Sequence, residues 1–292
     1  MTEVQKKPNQ NNLWKDAWIA LQANVSTKIA LFIMLTICLL VAMAPLLSPY
    51  QFDVPDWENI SSAPSFVNGH FFGTDDVGRD LLARTLYGGR ISLMVGIAAT
   101  LVSLLIGITW GATAGYVGGR TDQWMMRLVD VLYGLPFMFF VILLMVFFGR
   151  NILLIFVAIG TINWLDMARI VRGQTLSIKK KEFVQAAKVT GVTNFNIVRR
   201  HIIPNLLGVV IVYVTLTIPQ VILVESFLSF LGLGVQEPMT SWGALVNDGA
   251  QSMETAPWAL IFPGVFLALT LFCFNFIGDG LRDALDPRDR NK

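Results

Sequence analysis

Six stretches of this sequence are long and apolar enough to cross a lipid bilayer as helices, and they leave little room for any other fold. The first, residues 29–47, runs 19 residues without a charge, enough to span a hydrocarbon core of about 30 Å as helix. Further runs follow at 91–117, 131–148, 152 to about 171, 205–231 and 258–277. In lipid, every backbone N–H and C=O needs a partner within the segment, so such runs predict an all-α integral membrane protein with six transmembrane helices. Composition agrees, since 54% of the 292 residues are hydrophobic and only 14% are charged, against about 25% charge in soluble domains. Ala42-Met43-Ala44 resembles a signal-peptidase site, but Pro45 directly after it and the length of the run predict an uncleaved first helix.

Orientation follows from the basic residues. With the N-terminus in the cytoplasm, six spans return the C-terminus there, and the inner segments carry eighteen Lys and Arg against four outside. This asymmetry predicts cytoplasmic termini. The expected organisation is a cytoplasmic tail at 1–28 with an amphipathic piece around 13–21, the first span at 29–47, and an external segment at 48–90. A five-helix core at 91–281 and a charged cytoplasmic tail at 282–292, ending RDRNK, complete it. The external segment leans acidic, with Asp53, Asp56, Glu58, Asp75, Asp76 and Asp80 against Arg79, Arg84 and Arg90. A second external stretch, 232–257, is glycine-rich and lacks Lys and Arg; Trp242 and Trp258 are expected at the membrane boundary.

Within the spans, Gly107, Gly111 and Gly115 recur every four residues, the small-xxx-small pattern that lets a second helix backbone approach closely. Asp166 and Arg169, three apart near the end of the fourth span, are expected to pair with each other and to snorkel toward the interface. Glu225 in the fifth span is a functional candidate by the cost of its charge in lipid. It either lines a path for a polar substrate or hydrogen-bonds Ser226 or a neighbouring helix and fixes an external gate.

The stretch 179–204, KKKEFVQAAKVTGVTNFNIVRRHIIP, is a basic amphipathic island in this apolar chain. It reads as a short helix ended by Gly191, a second short helix capped by Thr193 or Asn194, and a stop at Pro204. The charge count places it in the cytoplasm. No G-x-x-x-x-G-K-[ST] occurs and the chain has no Gly-Lys dipeptide, so any nucleotide is bound by another chain. His70 and His201 lack metal-ligand spacing, and Cys38 and Cys273 lie in apolar runs. Paired intramembrane aspartates, H-E-x-x-H and a plausible Ser–His pair are absent from the sequence, which argues against an intramembrane enzyme. An ion-coupled secondary transporter is the alternative of a different class; it calls for midplane ionisable residues and often an internal repeat, and no convincing repeat is found.

The island resembles the coupling loop by which permeases of bacterial ABC importers dock onto separate ATPase subunits. The family pattern, E-A-A, three residues, G, nine residues, I-x-L-P, is met by Gln185-Ala186-Ala187, Gly191 and His201-Ile202-Ile203-Pro204. Gln185 stands in place of the acid and His201 in place of the first Ile; Glu182, one turn earlier, is the candidate replacement for the acid. Residues 71–93, 225–245 and 275–290 are similar to the peptide/nickel group of these permeases, and 137–159 and 165–176 to the C-type permeases of its oligopeptide branch. Dipeptide, murein-peptide and nickel transport are the near alternatives. The resemblance implies the type I ABC importer permease fold with a coupling loop at 173–204. It implies a transport subunit without catalytic residues, metal or cofactor of its own, ATP and Mg being held by partners. Those partners would be a homologous B-type permease, two ATPase subunits and a periplasmic peptide-binding protein in a bacterial inner membrane, with no nucleic acid. Its coupling residues would be Glu182, Gln185, Ala186, Ala187, Gly191 and Pro204.

Overall fold

Helices account for all regular secondary structure among the described residues apart from two isolated bridges, Pro55 with Arg79 and Thr74 with Asp80. The computed structural model describes residues 21, 24–149 and 152–285. Most of the amphipathic piece expected at 13–21 and the RDRNK end lie outside the described residues.

Helix α1 (Val25–Ala42) begins where the Asn24 side chain accepts from the Ser26 and Thr27 amides at 3.0 and 3.4 Å. A single turn, α2 (Ala44–Leu47), prolongs it. Helix α3 (Leu81–Val117) is 37 residues long, about 55 Å at 1.5 Å per residue. It begins ten residues before the expected start at 91. The charges that suggested a later start are all accommodated by protein. Asp80 caps the helix by accepting from the Ala83 amide at 2.7 Å. Arg90 donates to the Val41 and Ala42 carbonyls at 2.9 and 2.8 Å, closing the end of α1. Arg84 is buried 3.5 Å from Asp75.

The connection expected at 118–130 is a helix, α4 (Gly119–Tyr133), followed by α5 (Phe137–Phe148) of only 12 residues. The chain turns by 87° between them, at Gly134-Leu135-Pro136, where Pro136 offers no N–H to continue the ladder. The third apolar stretch is therefore bent rather than straight. Helix α6 (Ile152–Ile178) runs past the expected end near 171 because its polar terminus is packed. Arg172 makes two bonds to Asp122 of α4, at 2.6 and 2.7 Å. Arg169 pairs with Asp130 at 2.8 Å and lies over the Tyr133 ring at 4.3 Å, so the expected Asp166–Arg169 pair does not form.

Helices α7 (Glu182–Val189) and α8 (Asn194–Ile197) form the island. A π-helical turn at Val198–Ile202 joins α8 directly to α9 (Ile203–Phe230). Pro204 therefore does not end the second short helix. The wider turn, in which the Ile203 amide bonds the Val198 carbonyl, lets the helix continue through a residue that cannot donate. Helices α10 (Trp242–Gln251) and α11 (Trp258–Leu285) complete the chain. By length and composition, α1, α3, the run 194–230 and α11 are each able to cross a membrane, and the bent α4–α5 pair makes five.

Helix α6 lies along the glycine face of α3. A Cβ on Gly111 would meet Val171 Cβ at 2.9 Å, and one on Gly115 would meet Thr175 Cβ at 2.8 Å; Gly107 faces Met167. Helix α10 is wedged among α3, α9 and α11. Its Trp242 is fully buried, with its indole donating to the Thr85 carbonyl at 2.9 Å. Trp258 likewise donates to a protein carbonyl, that of Thr74, at 3.0 Å.

Candidate functional site

The island is a two-helix knob. Gly191, at φ +80°, closes α7 in the left-handed conformation. The Val192 amide bonds the Ala187 carbonyl at 3.1 Å and the Gly191 amide bonds the Lys188 carbonyl at 3.2 Å, the paired bonds of a Schellman motif. Thr193 starts α8 from extended backbone. Val184, Ala187, Ile197 and Ile202 face inward, in one apolar cluster with Met167, Val171 and Ile178 of α6. The outward face is unusual for a polar loop. Val189 is 88% exposed and Phe195 72%, beside exposed Phe183, Ala186 and Gly191 and a rim of Lys181, Lys188, Arg199 and Arg200. No atom lies within 4 Å of where a Gly191 Cβ would stand. This arrangement offers a partner an apolar, close-approach surface edged with positive charge.

Gln185 is exposed, yet its amide donates to the Lys179 carbonyl at 2.8 Å, tying α7 to the end of α6. Glu182 is exposed in the first turn of α7, where a carboxylate favours the helix N-terminus. Pro204 sits in the first turn of α9, exposed, just past the π turn.

Two further contacts bind the knob to the end of α3, and sequence pattern alone did not single them out. Lys179 Nζ donates to the Gly115 carbonyl at 2.7 Å. The Tyr116 hydroxyl donates to Asn194 Oδ1 at 3.0 Å. Beside them the Arg172–Asp122 pair fastens α6 to α4. Lys179 and Arg172 were thus legible as charge but not as ties between helices.

Glu225 lies elsewhere, in α9 near the opposite end from the island. It is fully enclosed by this chain. Ser229, not Ser226, donates to its Oε1 at 2.7 Å, and Ser229 Oγ lies 3.4 Å from Ser241 Oγ. The Trp242 amide bonds Ser92 Oγ at 3.1 Å in the same region. Glu225 thus belongs to a polar junction of α3, α9 and α10. At the same end of the chain, Arg79 bridges Asp75 and Glu237 at 2.7 Å each, and its hydrogen bond holds the Glu237 carboxyl below the ordinary value. No group of three or more His, Cys, Asp or Glu suited to a metal occurs among the described residues.

A family model described as the binding-protein-dependent transport system inner membrane component matches residues 107–291. A second, the N-terminal TM domain of oligopeptide transport permease C, matches residues 12–64. The chain is 61% identical over 279 residues to the oligopeptide transport system permease protein OppC of Escherichia coli strain K12, covering 96% of this chain and 92% of that one. It is 59% identical to the OppC of Haemophilus influenzae, covering 96% and 90%. Against the dipeptide transport system permease protein DppC of Bacillus subtilis the identity is 48%, over 94% of this chain and 86% of that one.

Proposed function

The chain belongs to the family of binding-protein-dependent transport system inner membrane components, and on that premise we propose that it is the C-type permease subunit of an ATP-driven ABC importer of oligopeptides. The observation that carries this reading is the near full-length identity to permeases named for oligopeptide transport. It is a transport subunit, not an enzyme.

In this reading the chain crosses a bacterial inner membrane six times with both termini in the cytoplasm. The bent α4–α5 pair is the third span and α6 the fourth. Together with a homologous B-type permease it forms the path from periplasm to cytoplasm. Two separate ATPase subunits hold ATP and Mg, and each permease seats one knob in a cleft of one ATPase. Closure of the nucleotide-bound dimer then moves the spans as rigid bodies. On this chain Ala186 and Gly191 allow close approach, Ala187 packs inward and seats the knob on α6, Phe195 and Val189 fill the cleft, and Glu182 supplies the acid that Gln185 does not. A periplasmic peptide-binding protein delivers cargo to the external face formed by residues 48–80 and 232–257.

The test is purification with the neighbouring subunits, followed by peptide-stimulated ATP hydrolysis with peptides of graded length. Stimulation by longer peptides supports oligopeptide import. Stimulation by dipeptides alone favours the second reading, which the 48% identity to a dipeptide permease motivates. Uptake by this chain alone under a proton gradient would overturn both. Gly191→Trp is expected to leave membrane insertion intact and abolish peptide-stimulated hydrolysis; undiminished coupled uptake refutes the docking role.

A further inference from the structure

At the bend between α4 and α5 lies a partly open pocket of about 360 Å³, lined by Tyr133, Leu135, Phe140, Thr161 and Asp166 among others. Asp166 is the acidic group in that lining, and it forms no ion pair among the described residues. The nearest cation along its helix, Arg169, is engaged by Asp130 at 2.8 Å.

Two features set this carboxylate apart. It lies one turn before Arg169, yet it does not join the Arg169–Asp130 pair, and an aspartate lacks the long apolar stem by which Lys or Arg snorkels. It does not face α3: Thr175 meets Gly115 there, and nine residues at 100° each set Asp166 about 180° away on the helix. A carboxylate on that outer face is costly against lipid, so it faces protein or a polar path.

Resting on the permease reading above, we propose that Asp166 is a binding residue of the transport path, the counter-charge that receives the α-ammonium group of a peptide in transit. Oligopeptides of any sequence share a cationic amino terminus, so a single carboxylate recognises the class without selecting the sequence. The Thr161 and Tyr133 hydroxyls are additional acceptors in the same lining, and Leu135 and Phe140 give the first side chain an apolar wall. The volume is at the small end of ligand pockets, about 300–1,000 Å³, and suits one terminal residue rather than a whole peptide. Glu225, the residue that sequence pattern pointed to, is closed off within the chain; Asp166 opens onto a space.

The test measures uptake of radiolabelled tri-alanine by the complete transporter, normalised to the assembled complex recovered on purification. Asp166→Asn removes the charge at constant volume and is expected to cut uptake by about tenfold. Asp166→Glu keeps the charge and is expected to stay within about threefold of wild type. A residue that merely packs gives the opposite order, tolerating the isosteric amide better than the longer acid. Wild-type uptake by Asp166→Asn, or an equal loss in Asp166→Glu, overturns the assignment. If the wild-type complex itself carries no tri-alanine, the permease reading fails and the proposal with it; if it does and the variants depart from this order, only the Asp166 assignment falls.

Discussion

Gln185 occupies a position where the acidic residue of related coupling loops would meet the same acceptor with the wrong sign. Its amide nitrogen donates to the Lys179 carbonyl at 2.8 Å, and a carboxylate has no proton to offer there. Gln185→Glu is therefore expected to loosen the turn between α6 and α7 by about 1 kcal/mol, the net worth of one such bond. Amide exchange over residues 180–184 of the purified protein should rise by about fivefold. Unchanged protection would show that the bond contributes nothing. Gly191 was readable from sequence because a left-handed helix end is a local requirement, set by the residue itself. The tie made by Gln185 was not readable, since its partner is the end of a helix whose length depends on tertiary packing.

At the scale of helices, the same distinction separates what apolar runs reveal from what they conceal. Apolar runs located the long helices α1, α3, α9 and α11, but several ends lie further out, where charged residues bind protein instead of water. Arg84 and Arg90 at the start of α3, and Arg169 and Arg172 near the end of α6, are all held by carboxylates or carbonyls. Hydropathy counts each as a stop. The glycine stripe, by contrast, is a packing signal. At Gly111 a Cβ would meet the Ala168 carbonyl and the Arg172 backbone nitrogen, the latter at 3.0 Å, and at Gly107 it would meet the root of the Met167 side chain, with the Ala168 backbone nitrogen at 3.2 Å. Neither obstacle is the free end of a side chain, so Gly111→Ala and Gly107→Ala should each destabilise the α3–α6 contact by about 1–3 kcal/mol. Thermal unfolding of the purified complex checks both, and unshifted transitions would mean that α6 moves away as a unit.

Helix α3 gives the whole molecule its axis. One end is capped by Asp80 and holds Trp242 through the Thr85 carbonyl and Ser92, next to the Glu225 junction. The other end is gripped by the knob, through Lys179 on the Gly115 carbonyl and Asn194 beneath Tyr116. In the proposed coupling role, a movement of the knob would reach the opposite end through a single continuous element, with no loop between to absorb it. This mechanism requires the two ends to lie on opposite sides of the bilayer, as the basic residues indicate. The requirement is open to direct test with single cysteines at exposed positions, in a chain whose Cys38 and Cys273 are replaced by Ala. Val189 on the knob is 88% exposed and Val67 in the segment before α3 is 99% exposed, so neither substitution disturbs packing within this chain. In intact cells a membrane-impermeant maleimide should label Val67→Cys and spare Val189→Cys, and opened membranes stripped of peripheral subunits should expose the second to the reagent as well. Labelling of Val189→Cys from outside intact cells would invert the topology and remove the knob from any cytoplasmic ATPase. Labelling of both from outside would place the two ends of α3 on one side, and a lever across the membrane could not exist.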